Sequence, residues 1–204
     1  MTDVQNFWDK RYAQENYVFG TEPNAFLARQ AKLLKPGWRA VVVADGEGRN
    51  GVWLAEQGLS VQSVDSSSVA QSKARALAEA RGVSLELTLT DLDTWAWPTR
   101  AFDLVVAIFI QFAAPPLRTR LFEKMQLALK PGGLLLLEGY RPEQIAYGTG
   151  GPSTAENLYI EPMLREAFGA LQIEELRAYD AVLHEGTGHD GMSALIDLVA
   201  RNRG

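Results

Sequence analysis

Three carboxylates sit at matching points of one repeating pattern. Asp45 opens the turn Asp45-Gly46-Glu47-Gly48-Arg49-Asn50, Asp65 closes an apolar run, and Asp91 follows another in Thr90-Asp91-Leu92. Glycine at 46 and 48 lets the backbone approach a ligand because no Cβ intervenes, and the first N–H groups of a following helix are open to donate. A carboxylate at a second strand end can accept both hydroxyls of an adenosine ribose. One after a third strand can accept from an adenine amino group, with Leu92 packed on the ring. Each has a plainer reading: Asp65 could cap a helix starting near Ser67, and Asp91 could cap a short turn. Three such features at three consecutive strand ends favour a ligand site. The turn also satisfies G-x-G-x-x-G through Gly46, Gly48 and Gly51, so a nicotinamide-binding fold is the competitor.

Short apolar runs alternate with amphipathic stretches, the pattern of a parallel sheet covered by helices on both faces. The runs predict strands at Arg39–Asp45, Val61–Asp65, Val83–Leu89, Phe102–Phe109 and Leu134–Gly139. Helices are predicted at Asn50–Gln57, Ser67–Arg81 and Pro115–Leu129, the last with proline in its first turn. Lys130-Pro131-Gly132-Gly133 reads as a turn into the fifth strand. Tyr140–Pro152 reads as a Gly-rich loop and Thr154–Phe168 as helical, interrupted near Pro162. Leu171–His184 and Ser193–Arg201 form an expected antiparallel hairpin around the linker 185–192. Val4–Tyr12 and Asn24–Leu34 read as two short helices before the first strand. One domain is expected over 1–204, with a helical lid at 1–35 and a Rossmann-like core at 36–204.

Composition excludes several functions. The 204 residues carry 47% hydrophobic and 22% charged side chains, an ordinary globular balance. Cysteine is absent, which removes disulfides and thiolate chemistry, and two histidines, His184 and His189, argue against structural zinc. A formal net charge of −5 with scattered Lys and Arg argues against nucleic-acid binding. The opening Met1-Thr2-Asp3 lacks the features of a signal peptide, and runs such as Leu104–Ile110 are too short to span a bilayer. A cytoplasmic protein, monomeric or homodimeric, with no membrane or nucleic-acid partner, is the expectation.

Gly46-Glu47-Gly48-Arg49-Asn50, Val64-Asp65, Thr90-Asp91-Leu92, Phe102-Asp103-Leu104-Val105 and Pro131-Gly132-Gly133 together resemble class I S-adenosylmethionine-dependent methyltransferases over nearly the whole chain. The closing hairpin matches that family's reversed seventh strand. The aromatic start (Phe7-Trp8, Tyr12, Tyr17-Val18-Phe19-Gly20, Pro23-Asn24) looks like the tellurite-resistance and thiopurine-type small-molecule enzymes. The resemblance implies a doubly wound, mostly parallel α/β sheet of seven strands in the order 3-2-1-4-5-7-6, with the last-numbered strand antiparallel. It implies S-adenosyl-L-methionine as cofactor, held by Asp45, Gly46, Gly48, Asn50, Asp65, Ser66, Asp91, Leu92 and Ala107, with Tyr17 and Phe19 from the aromatic lid. One departure stands out: the family's first motif glycine falls on Ala44 and its upstream acid on Val42. Asp45 is the available substitute, and a non-catalytic binder of the cofactor stays open as a reading.

The resembled fold builds its acceptor pocket from loops that here contain Gln111 and Phe112, Tyr140 and Arg141, Tyr147, His184 and His189. Arg141 could clamp an anionic acceptor or form an ordinary surface ion pair. His184 or His189 could take a proton near neutral pH or simply brace their turn. The expected reaction is methyl transfer to a small soluble acceptor such as a thiol, tellurite or selenite. No Tyr-x-x-x-Lys pair supports the oxidoreductase alternative.

Overall fold

The Val-rich run Arg39–Val43 forms β1, buried from Ala40 onward, and the apolar run Phe102–Ile108 forms β4, buried almost throughout. In the computed structural model, which describes residues 3–204, the element order is α1 (Asp3–Tyr12), α2 (Ala25–Arg29), β1, α3 (Arg49–Glu56), β2 (Ser60–Asp65), α4 (Ser68–Ala80) and β3 (Glu86–Leu89). Then come β4 (Phe102–Ile108), α5 (Pro115–Ala128), β5 (Leu129–Tyr140), α6 (Gln144–Tyr147), α7 (Glu161–Ala167), β6 (Gln172–Glu185) and β7 (His189–Arg201). The opening Met1-Thr2 lies outside the described residues. The strand order is β3-β2-β1-β4-β5-β7-β6. β1–β2, β2–β3 and β4–β5 pair in parallel, and β5–β7 is antiparallel, as expected for a reversed seventh strand.

Two compact units make up the chain: one runs to Trp95 and takes in Glu185–Gly188, and the other holds Ala96–His184 with His189–Gly204. The first contains β1, β2 and β3 with α1 to α4. Its α4 begins where the sequence suggested, because the Ser67 hydroxyl accepts from the Ala70 N–H at 3.1 Å. The second is built on β4, whose residues are buried almost throughout, and on β5 and β7. Its core includes Phe102, Leu104, Leu121, Phe122, Met125 and Leu134 to Leu137.

Several boundaries differ from the sequence reading, each for a local reason. The expected turn Lys130–Gly133 is absorbed into β5 as an irregularity: Phe102 pairs with Leu129, and regular pairing resumes at Leu104–Leu134. The expected linker 185–192 shrinks to Gly186-Thr187-Gly188, because backbone pairing extends β6 to Glu185 and starts β7 at His189 whatever the side-chain polarity. Asn24–Leu34 is not one helix. Asn24 caps α2 through its side chain, α2 ends at Arg29, and a separate 3₁₀ turn covers Ala31–Leu33. Thr154–Phe168 likewise divides into a 3₁₀ turn at Ala155–Asn157 and α7, whose start is set by Pro162. The loop 140–152 contains the single-turn helix α6. No helix among the described residues is long and apolar enough to cross a membrane.

Candidate cofactor site

β1 ends at Val43 and the chain turns sharply at Ala44, whose φ is +50°. That left-handed conformation explains why the resembled family uses glycine there; an alanine costs about 1–2 kcal/mol in it. Gly46 and Gly48 follow at φ +59° and +86°. The two glycines have different neighbours. A Cβ on Gly48 would lie 2.6 Å from the Ala74 Cβ, so its bareness serves the packing of the turn on α4. A Cβ on Gly46 would lie 2.7 Å from the Tyr12 hydroxyl.

Asp65 is the centre of the arrangement. Its Oδ2 accepts the Gly46 N–H and its Oδ1 the Ser67 N–H, each at 2.8 Å, and its carbonyl accepts from the Thr90 N–H at 3.0 Å. The ends of β1, β2 and β3 are thereby tied to one residue. Burial pushes the Asp65 carboxyl above its usual range, against the backbone N–H groups of Ser67, Gly46 and Ser66, which lower it; Asp9 adds to the rise. A carboxylate has about four lone-pair sites, so capacity remains for a ligand hydroxyl. Ser66 beside it is partly exposed. Asp91 accepts the Asp93 N–H through Oδ1 at 2.8 Å, which is the capping role, and its second oxygen has no partner among the described residues. Leu92 next to it is buried.

Asp45 and Asn50 have internal tasks. Asp45 accepts the Ser63 hydroxyl at 2.8 Å and the Gly51 N–H at 3.3 Å, so its carboxylate braces the turn. Asn50 Oδ1 accepts the Asn24 N–H at 2.9 Å. Of the aromatic lid, the Tyr17 hydroxyl donates to the Lys73 carbonyl at 3.2 Å, with the Lys73 ammonium 5.2 Å from its ring centroid. Phe19 sets its ring edgewise to Tyr12, and Tyr12 stacks on Trp8. Burial, then the charges of Asp65 and Glu47, raise the Tyr12 hydroxyl well above its ordinary pKa, so it stays a neutral donor beside the turn. Ala107, the remaining cofactor candidate, is buried within β4 of the second unit.

Burial raises the Asp45 carboxyl to about 6, opposed by its bonds from Ser63 and Gly51. Because the folded state holds this proton more tightly than the unfolded chain, the Asp45 contribution to stability falls as pH rises from about 4 to about 6. The full loss above that window is up to about 3 kcal/mol. Asp45→Asn should therefore be more stable than the parent at pH 7.5, with the gap closing towards pH 4. Guanidinium unfolding across that range checks it; a gap independent of pH would refute the assignment.

The acceptor-side candidates lie in the second unit. Arg141 pairs with Asp180 and sits 3.5 Å from Glu143, so its charge is already matched by two carboxylates. His184 is exposed and binds Asp190 at 2.8 Å. His189 is buried, its ring edge-on to Phe109 at 4.3 Å and to Tyr140 at 5.7 Å. The structure thus puts the two histidines in opposite settings and does not join either to Arg141. Phe109, which the sequence reading passed over, stacks on Tyr140 at 4.5 Å and has φ +53°. A bulky residue in that conformation is strained and marks the end of β4 as a candidate acceptor wall. Nothing in its sequence context signals that geometry. Gln111 braces the same region, accepting the Tyr140 N–H at 2.6 Å and donating to the Tyr140 carbonyl at 2.8 Å.

Residues 41–133 match the family model of a methyltransferase domain. The chain resembles the class I S-adenosylmethionine-dependent methyltransferases, in sequence over that stretch and in fold over its length. The N-methyltransferase NodS from Bradyrhizobium japonicum WM9, solved with S-adenosylhomocysteine, shares 14% identity at a TM-score of 0.75, covering 100% of both chains. TehB from Haemophilus influenzae shares 17% at 0.72, covering 97% of this chain and 66% of its own. The [4+2]-cyclase SpnF shares 18% at 0.72, covering 98% and 94%. None of the curated protein sequences is detectably similar to this one. These likenesses show a fold, and SpnF shows that the fold serves more than one reaction.

The methyltransferase-like site can be tested against the cofactor of that class by its donor set. The class uses S-adenosylmethionine, which presents a ribose diol, an adenine amino group and a sulfonium cation. Asp65 retains acceptor capacity for the diol, and Asp91 has an uncommitted oxygen among the described residues. The residues present fit the group.

Proposed function

We propose that this protein transfers a methyl group from S-adenosylmethionine to a small soluble acceptor. The observation that carries the reading is the tie of Gly46, Asp65 and Thr90-Asp91 at the ends of β1, β2 and β3. Bound cofactor supplies an electrophilic methyl on a positively charged sulfur. The chain's part is to hold it and exclude water, because in-line displacement depends mainly on alignment. Asp65 would accept the ribose hydroxyls and Asp91 the adenine amino group, while the bare face of Gly46 accommodates the Tyr12 hydroxyl. A base is needed only for an acceptor that must first lose a proton; His189, buried against Phe109 and Tyr140, is the candidate in this reading. Thiols, tellurite and selenite are the acceptor classes to try, and the reading takes the protein to act in the cytoplasm as a monomer or homodimer.

A second reading, a binding protein that does not turn the cofactor over, is favoured by Val42, an apolar buried residue where the resembled family has an acid. Calorimetric titration with S-adenosylhomocysteine and with NAD, followed by turnover against those acceptors, tests both. Saturable binding of the homocysteine product with methylated acceptor is the expected result. NAD binding with no response to the homocysteine product would overturn the proposal.

A further inference from the structure

The N-terminal segment follows the glycine turn residue by residue. The Tyr12 hydroxyl lies over Gly46, the Val18 N–H donates to Glu47 Oε2 at 2.7 Å, and the Asn24 N–H donates to Asn50 Oδ1 at 2.9 Å. Lys73 of α4 binds the other Glu47 oxygen at 2.7 Å, so Glu47 is fixed from both sides. The far end of the segment is held by Glu185, which accepts the Ala25 N–H at 2.9 Å and the Asn24 amide at 3.1 Å. Glu185 also pairs with Arg49 of the glycine turn at 2.7 Å, the two side chains being 8% and 7% exposed.

The residues after Glu185 press on the same segment. The Gly188 N–H and the Thr187 hydroxyl both donate to the Val18 carbonyl, at 3.0 and 3.4 Å. A Cβ on Gly186 would fall 2.4 Å from that carbonyl oxygen, and one on Gly188 2.3 Å from the Phe19 ring. Only glycine permits this closeness.

We infer that Glu185 is a positioning residue that buckles segment 17–25 onto the glycine turn, and that this buckle sets how fast the cofactor leaves. The inference rests on the cofactor reading above. The physical reason is that one buried carboxylate joins the strap to the turn with charge-assisted bonds on both sides, which are about twice as strong as neutral ones. The strap cannot lift from residues 46–50 without exposing that carboxylate or separating it from Arg49.

The test uses full-length protein, with S-adenosylhomocysteine as the probe. Arg49→Met combined with Glu185→Leu removes the pair without leaving a lone buried charge, though it also takes the acceptor from the Ala25 N–H and the Asn24 amide. Glu185→Gln provides a milder second variant. The double variant should release the probe about tenfold faster than the parent, with the amides of Val18, Asn24 and Ala25 exchanging at least tenfold faster and those of α4 unchanged. Glu185→Gln should fall between. Parent-like exchange at those three amides, or faster exchange with a parent-like release rate, would overturn the inference. Failure of the parent itself to bind the probe would instead sink the cofactor reading, and the link to release with it.

Discussion

Asp65→Ala lowers the affinity for S-adenosylhomocysteine by about ten- to hundredfold, with the calorimetric stoichiometry unchanged. Removing a charged acceptor costs about 1.5–3 kcal/mol when its donors are left unpaired. Part of that cost falls on the protein itself, since the Gly46 and Ser67 N–H groups lose their acceptor together. Asp65→Asn separates the contributions. It keeps one side-chain oxygen to accept a backbone N–H, so it should regain much of the stability while binding the ribose poorly. Equal affinity of Asp65→Ala and parent, in a folded protein, would mean that the ribose is held elsewhere.

The largest effect on stability is expected at Arg49. Arg49→Ala takes the guanidinium away from the Glu185 carboxylate, which is 8% exposed and also accepts the Asn24 amide and the Ala25 N–H. Breaking a buried pair from one side costs about 3–5 kcal/mol, a large part of the stability of an ordinary domain. The expected result is a much earlier guanidinium midpoint for Arg49→Ala, and a midpoint between that and the parent's for Arg49→Met with Glu185→Leu, which strands no charge but takes the acceptor from the Asn24 amide and the Ala25 N–H. Similar losses in the two variants would show that packing by the Arg49 stem, not the stranded charge, is responsible.

The difference between these two residues also marks what the sequence made legible. Asp65 is local information: it ends the predicted strand Val61–Asp65, Ser67 two residues on opens the predicted helix, and the strand-end rule points at it. The strand order was available through the resemblance, and the buried runs at 39–43 and 102–108 needed only their apolar content. Glu47 and Glu185 carry no such signal. Their roles come through partners far away in sequence, among them Val18, 29 residues from Glu47, and Arg49, 136 residues from Glu185. The same holds for the conformation of Ala44 and Phe109, which is imposed by how strands end and not by their own side chains. Asn50 was expected at the cofactor because it ends a glycine-rich motif, yet its oxygen meets Asn24, a contact no local pattern announces. The stretch 189–192 reads as linker for a related reason: hairpin ends pair through backbone, and their side chains need not alternate.

The acceptor side was less legible still. Arg141 and His184 drew attention as single charged groups in loops, and each has a carboxylate partner that sequence spacing could not supply. What distinguishes His189 is its aromatic company, Phe109 and Tyr140, drawn from the ends of two other strands.

We propose that one adenosyl group is held where Gly46, Asp65 and Thr90-Asp91 are tied together. A crystal structure of the protein with S-adenosylhomocysteine tests it most directly. The account predicts ribose hydroxyls within hydrogen-bonding distance of the Asp65 carboxylate and the adenine amino group facing Asp91. A nucleoside bound away from both carboxylates would contradict it.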